Sequence, residues 1–431
     1  MTTLALTGDS ILQRRLLSTS DPVIKPLFDL IRGSDAAFTN LEVLPNDYVG
    51  DPAFDSGGSH FGAPSWVLDD LVEAGFGMFA TATNHTLDYS IKGLEYALDQ
   101  LDKRGLCHAG AGRHLEEARR AAYLTTPNAT IGMVACGSTY TKGQEAARQT
   151  HAMQGRPGLN PLWPDSTYEV TADQMAVVQD MATGLGLEKF RQLRIGTGFA
   201  FEAPEGIFPF NGMNFRVGDK TRHVRRPNAK DLAAIIRWVE EAKLASDIAV
   251  VSIHAHEHAT EKDEPAEFII EFAHAVIDAG ADVVVGHGPH LLRGLELYKG
   301  KPIFYSLGNF IGQNEMVQIL PGESYDRFRV GDELTPTKLY KQRTQDDQKG
   351  FPSDLRYWQT VVPICRFEGD DLAEVTIYPV SLGLGEKRHR RGRPRLASGQ
   401  EADSILKGYA MLSERYQTNM SIEQDVATVL I

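Results

Sequence analysis

Only three cysteines, Cys107, Cys136 and Cys365, occur in the 431 residues of this chain. They are too few and too scattered for a disulfide framework or a thiolate zinc site, and they read as core thiols. No uninterrupted apolar run reaches the roughly 18 residues a membrane-spanning helix needs. The N-terminus opens directly on TLALTGDS, without a basic flank, a long apolar segment or a small-residue cleavage site. The expectation is a soluble, cytoplasmic protein with no membrane anchor. Positive charge is also scarce: 44 Lys and Arg face 57 Asp and Glu, for a net charge of -13. That balance excludes nucleic acid as the main partner, because phosphate binding needs a basic face. It leaves room for a small acidic molecule or an acidic polymer in a locally basic pocket. No internal repeat of any convincing period is present.

What the chain does have is a recurring sentence. ADVVVGHGPH, from Ala281 to His290, is a short apolar run that ends by delivering two histidines. LALTGD ends on Asp9, AAFTNLE on Glu42, GMFATATNH on His85, and IAVVSIHAHEH runs from Ile248 through His254 and His256. Each reads as a buried strand carrying a polar group at its tip. Helix patterns lie between them, at Pro22 to Ile31 with Asp21 as N-cap, Pro64 to Ala74 and Ser90 to Arg104. The alternation of strand and helix predicts a layered α/β protein.

The regular pattern lapses twice. Residues 137–228 are turn-rich around one predicted helix, Ala172 to Leu187, and are expected to lie over a site as a lid or pocket wall. Met316 to Tyr357 is polar and is expected to be a mobile excursion. Hairpins are predicted at Gly294 to Leu307 and Thr360 to Val380, followed by a basic run from Lys387 to Arg395 and a helix from about Gln400 to Glu414. The resulting division is 1–136 and 229–315 as two halves of one metal-binding domain, 137–228 as an insertion, and 316–431 as a C-terminal extension.

Taken as one set, the strand-end residues are Asp9, Glu42, Asn84, His85, His254, His256, His287 and His290. Carboxylate, amide and imidazole donors without thiolate suit Mn, Fe or Zn in a working site. Two carboxylates and several histidines exceed the needs of one open metal site, which points to two divalent ions about 3.5–4 Å apart sharing a carboxylate.

LTGDS, TNLE, ATATNH, VVSIHAHEH, VVVGHGPH and IFYSLGNF together resemble the bacterial poly-γ-glutamate capsule-biosynthesis family, a branch of the calcineurin-like metallophosphoesterase superfamily. The resemblance implies a four-layered α/β/β/α sandwich with metals at the strand ends. It implies a metal-dependent hydrolase that uses a metal-bound hydroxide on an acidic substrate, or else a non-catalytic accessory protein of capsule synthesis. Residue by residue, it assigns Asp9 and His290 to one metal, Asn84, His254 and His287 to the other, Glu42 to the bridge, and His85 to proton transfer. His256 stands as the alternative to His254. Two departures open the first metal's shell: Ile11 stands where the wider pattern has histidine, and two residues rather than one separate His287 from His290. Arg391 and Arg393 of the basic run, with Tyr140, are the candidate substrate-binding residues. Oligomeric state is left open, a homo-oligomer included.

Overall fold

The computed structural model describes residues 1–431. Its larger sheet runs Met420–Glu423, Val426–Val429, Asp371–Ser381, Gln359–Glu368, Thr2–Ile11, Ala36–Leu41, Met78–Ala80 and Cys107–Ala109, with Asn309–Gly312 also paired to Thr2–Ile11. The smaller runs Leu292–Tyr298, Lys301–Leu307, Val283–His287, Ile248–His254, Thr130–Gly137 and Ala122–Thr125. The last four strands of the first sheet are parallel, as are the four strands from Lys301–Leu307 to Thr130–Gly137 in the second.

Three apolar layers hold these sheets. Leu4, Leu6, Phe38 and Met78 of one sheet meet Met133, Val250, Val283 and Val285 of the other in the central layer. The outer face of the larger sheet packs on helices Lys25–Arg32 and Trp66–Glu73 through Leu27, Phe28, Val67 and Leu71. Helices Ala229–Ala245 and Glu267–Asp278 cover the smaller sheet with Ile235, Val239, Phe268 and Phe272. The chain is thus a four-layered α/β/β/α sandwich. Because its inner strands are covered on both faces, they read as continuous apolar runs such as VVVGH.

Parallel strands end on the same edge of their sheet, and the connections beyond that edge are free to carry polar groups. Asp9, Glu42, Asn84, His85, His254 and His287 all stand there. Register completes the placement: Asp9 lies opposite Asn40 on one side and Asn309 on the other, and His254 lies opposite His287.

Several expectations change. The first helix begins at Lys25, because Pro26 suits its first turn; Asp21 accepts from the N–H of Val23 and from Arg393 instead of capping. The predicted helix at Ala172 is two helices, Ala172–Gly184 and Leu187–Gly196, broken at left-handed Gly186. The polar stretch after Met316 is built, with helices Gly322–Phe328 and Pro336–Arg343 and the buried side chains Leu339, Tyr340, Tyr357 and Trp358. Its apolar residues join the outer core, so it is a packed wall. The three cysteines are free thiols, two of them fully buried. No helix is long and apolar enough to cross a membrane.

Arg293 is fully buried and meets no carboxylate. It donates to four backbone carbonyls of one loop: Ala255 at 3.4 Å, His256 at 3.3 Å, Glu257 at 2.9 Å and Lys262 at 3.1 Å. A loop without a ladder of its own thereby has its acceptors satisfied.

Gly8 precedes Asp9 where two strands cross closely, and a Cβ there would fall on the carbonyl oxygen of Gly308. Gly8→Ala is expected to cost about 1–3 kcal/mol in thermal unfolding, since backbone cannot yield as a side chain can. Gly58→Ala, where the added methyl meets open space, should stay within about 0.5 kcal/mol.

Candidate metal centre

Asp9, Glu42, His254 and His287 are all essentially without solvent exposure, and His290 and His256 border them from the cleft side. Asp9 Oδ1 accepts from Asn40 Nδ2 at 2.8 Å and Oδ2 from the N–H of Gly288 at 3.1 Å. Three imidazoles surround it: His290 Nδ1 at 3.4 Å, His287 Nδ1 at 3.7 Å and His254 Nδ1 at 3.9 Å. Glu42 faces His290 Nε2 at 3.7 Å and His254 Nε2 at 3.9 Å, and neither of its carboxylate oxygens has a hydrogen-bond partner.

His254 is hemmed in by other nitrogens. Its Nδ1 lies 2.9 Å from His287 Nδ1, and its Nε2 lies 3.1 Å from His256 Nε2 and 2.7 Å from Asn84 Oδ1. Neutral imidazole has one N–H, so His254 cannot donate along both edges at once. Paired nitrogen lone pairs beside two bare carboxylate oxygens form a donor set for cations. The fit to divalent metal is therefore good on the chemistry of the residues themselves.

Candidate ligand atoms fall into two groups, Asp9 with His254 and His287, and Glu42 with His256 and His290. His290 stands between them, 3.4 Å from Asp9, as the expected partition had it, and 3.7 Å from Glu42; His256, expected as a substitute for His254, joins it beside Glu42. Hydrogen bonds orient these rings. His290 Nδ1 donates to Asn309 Oδ1 at 2.9 Å, leaving Nε2 toward Glu42. Ser252 Oγ engages His287 Nε2 at 2.7 Å, leaving Nδ1 toward Asp9 and His254. Ile11 is core, and His256 brings an imidazole to the Glu42 group from beyond the strand.

His85 stands beside the cluster. Its Nδ1 donates to Asp88 Oδ2 at 2.7 Å, an oxygen that also accepts from the N–H of Phe61 at 2.6 Å. The imidazole packs on the ring of Phe61 at 4.3 Å, and Nε2 lies 3.1 Å from Asn84 Nδ2. Asp88, Ser252, Asn309 and Asn40 were not anticipated. Asp88 had a signal, three residues after His85 in a turn; the others show their role only through strand register.

A cleft of about 400 Å³ opens over His85, His256 and His290. Its walls come from the loop at Gly57 to Phe61 and from Lys262, Asn314, Arg343, Phe351 and Tyr357. No residue of 137–228 lines it, so the expected lid is replaced by the 316–357 excursion. The substrate-binding candidates stand elsewhere as well. Arg391 is buried between Glu315, at 2.7 Å, and Asp347, at 2.7 Å. Arg393 pairs with Asp21 at 2.6 Å. Tyr140 packs on Trp163 at 5.4 Å over a separate hollow. Two carboxylates already satisfy Arg391, so it braces Glu315 and Asp347 and offers nothing to the cleft.

The family model described as bacterial capsule synthesis protein PGA_cap matches residues 3–314. An uncharacterized protein, y4sH, from Sinorhizobium fredii is 32% identical over 99% of this chain and 92% of its own length. The capsule biosynthesis protein CapA of Bacillus anthracis is 23% identical over 72% of this chain and 59% of its own length. A probable polyglutamine synthesis accessory protein of Mycobacterium tuberculosis is 28% identical, covering 55% and 45% respectively.

Charge in the cluster is unevenly held. Burial alone would raise Asp9, but the neighbouring imidazoles, His290 first and then His254 and His287, bring it well below the carboxylate range. Burial and the neighbouring Asp9 push Glu42 well above it. Burial holds His287 down to about 4, and burial with neighbouring imidazoles holds His254 and His256 well below their usual range. Without metal, Glu42 therefore favours its protonated form, while burial favours the neutral form of these three histidines. Titration with Mn²⁺ or Zn²⁺ in buffers of different ionisation heat, at pH values stepped upward from the ordinary carboxylate range, should show a proton released on binding. The release should fade as pH rises past the Glu42 pKa and vanish in Glu42→Gln. A release that persists in the variant and grows below pH ~6.5 would place the proton on histidine instead.

Proposed function

Because the chain belongs to the bacterial capsule synthesis protein family, we propose that it is a dinuclear metal-dependent hydrolase acting on an acidic substrate, at a γ-glutamyl amide or peptide-like bond or at a phosphoester. The observation that carries this reading is the pair of bare Glu42 oxygens buried among four histidines, with the His85–Asp88 pair beside them at the floor of a cleft. A purely structural ion would not call for an open cleft or an oriented imidazole that is not a ligand.

Asp9, His254 and His287 would hold one ion, with Asn84 as an added oxygen donor; Glu42, His256 and His290 would hold the other. Mn, Fe and Zn are the metals this donor set suits. When bound, the ions supply Lewis-acid polarisation of the scissile group and a water of lowered pKa. The protein's part is orientation. Asp88 orients the His85 ring by accepting from its Nδ1–H, so that Nε2 takes up a proton first and, with both ring nitrogens protonated, would pass it to the leaving group. Asn40, Ser252 and Asn309 turn the ligands toward their ions, as outer hydrogen bonds do in metal sites generally.

A second reading, a non-catalytic accessory protein that binds an acidic polymer, draws support from the name of the mycobacterial relative. One variant separates the two. His85→Ala should keep its full metal content and melting temperature while hydrolysis falls by roughly 10²–10⁴-fold. Unchanged turnover with full metal would move the chemistry elsewhere. Unchanged capsule-related activity in cells, with no hydrolysis in either protein, would favour the accessory role. Asp88→Asn, which holds the wrong tautomer, should lower kcat by a smaller factor, about 10–100-fold, with metal affinity unaltered.

A further inference from the structure

Beyond the cleft over the metal ligands lies a second compartment of about 380 Å³, and Lys262, Asn314, Arg343, Phe351 and Tyr357 line both. The acids in its wall are already engaged. Glu315 is held by Arg391 at 2.7 Å and Asp354 by Arg356 at 2.7 Å. The cations are not. Lys262 Nζ donates to the hydroxyl of Tyr357 at 2.7 Å and lies 5.4 Å from that ring's centre. Arg343 reaches only Ser59 Oγ, at 3.4 Å, and its guanidinium lies 4.2 Å from the ring centre of Phe328. Lys349 adds a third positive group.

These three side chains form no ion pair, and what sets Lys262 and Arg343 apart from other unpaired surface cations is that both line the hollow adjoining the metal ligands. A planar guanidinium and an ammonium facing one hollow, both short of anionic partners, make a receptor for a carboxylate or a similar anion.

The two compartments are joined by an aromatic wall. Phe351 lies 5.1 Å from the ring of His290 and stacks on Tyr357 at 4.4 Å, and Tyr357 carries Lys262. At about 3.3–3.6 Å per residue of extended chain, a few residues of peptide-like substrate cover that path.

We propose that Lys262 and Arg343 form an anion subsite that binds a substrate carboxylate a few residues away from the scissile bond, so that the protein selects acidic oligopeptide chains over neutral ones and over small monoesters. This rests on the reading of the metal centre as the hydrolytic site, and the two are tested separately. Equilibrium binding of tri-L-glutamate and of tri-L-glutamine to the Mn²⁺-loaded protein is measured beside turnover. Wild type should bind the acidic peptide at least ~10-fold more tightly, with the preference shrinking as salt rises. Lys262→Gln and Arg343→Gln should each weaken tri-L-glutamate binding by about 10-fold, raising KM with little change in kcat. Metal content and affinity for tri-L-glutamine should stay as they were. Lys262→Arg and Arg343→Lys should recover part of the loss and guard against a folding defect. Equal binding of the two peptides by wild type, or unchanged tri-L-glutamate affinity in both Gln variants, overturns the subsite. Binding that depends on Lys262 and Arg343 without any hydrolysis sustains the subsite and removes the hydrolase.

Discussion

Two carboxylate oxygens of Glu42, buried and without a hydrogen-bond donor, set the terms for the rest of the molecule. A buried carboxyl group without a partner is costly in either form: as an anion it goes unpaired, and burial beside Asp9 drives it toward holding a proton instead. Here the surroundings are imidazoles crowded nitrogen to nitrogen, which is equally unfavourable without a cation between them. The strain belongs to the group of residues together. On the function proposed above, divalent ions would relieve both sides at once, and the layers of the sandwich are the apparatus that holds these mismatched donors in place.

That apparatus works through neighbours in register. Parallel strands from two sheets deliver ligands to one edge, but delivery alone leaves each imidazole free to rotate. Asn40 beside Asp9, Ser252 below His287 and Asn309 behind His290 remove that freedom, and each sits on a strand of the same two sheets. His290 itself adopts a left-handed backbone, φ 64°, between Pro289 and Leu291. A non-glycine residue pays conformational energy for such a geometry, which is consistent with its side chain being held by Asn309 and aimed at Glu42.

Much of this was legible in the order of residues. Apolar runs closing on Asp9, Glu42, His254 and His287 announced the strand ends, because a strand buried on both faces has nowhere to put a polar side chain except its tip. The layered fold followed from strand and helix taking turns. What stayed hidden depended on pairing across the sheets. Nothing local distinguishes Ser252 inside IAVVSIH as the partner of His287, or says which nitrogen of His290 is free. The basic run misled for a related reason: its density of arginine was visible, but the Glu315 and Asp347 that consume Arg391 are distant in sequence. The final strands Met420–Glu423 and Val426–Val429 were missed because their turn, Gln424-Asp425, takes positive φ at both residues without the glycine that usually marks it.

Arg293 gathers the carbonyls from Ala255 to Lys262 onto one guanidinium. One end of that loop carries the candidate ligand His256, and the other carries the cation Lys262. The interval between them is thus the reach of a single side chain fixed in the core, and neither can drift without the other. If the proposed subsite holds, the loop is a gauge: a chain laid across it would be measured from the metal centre to its nearest charge, and length as well as chemistry would be something the fold can read.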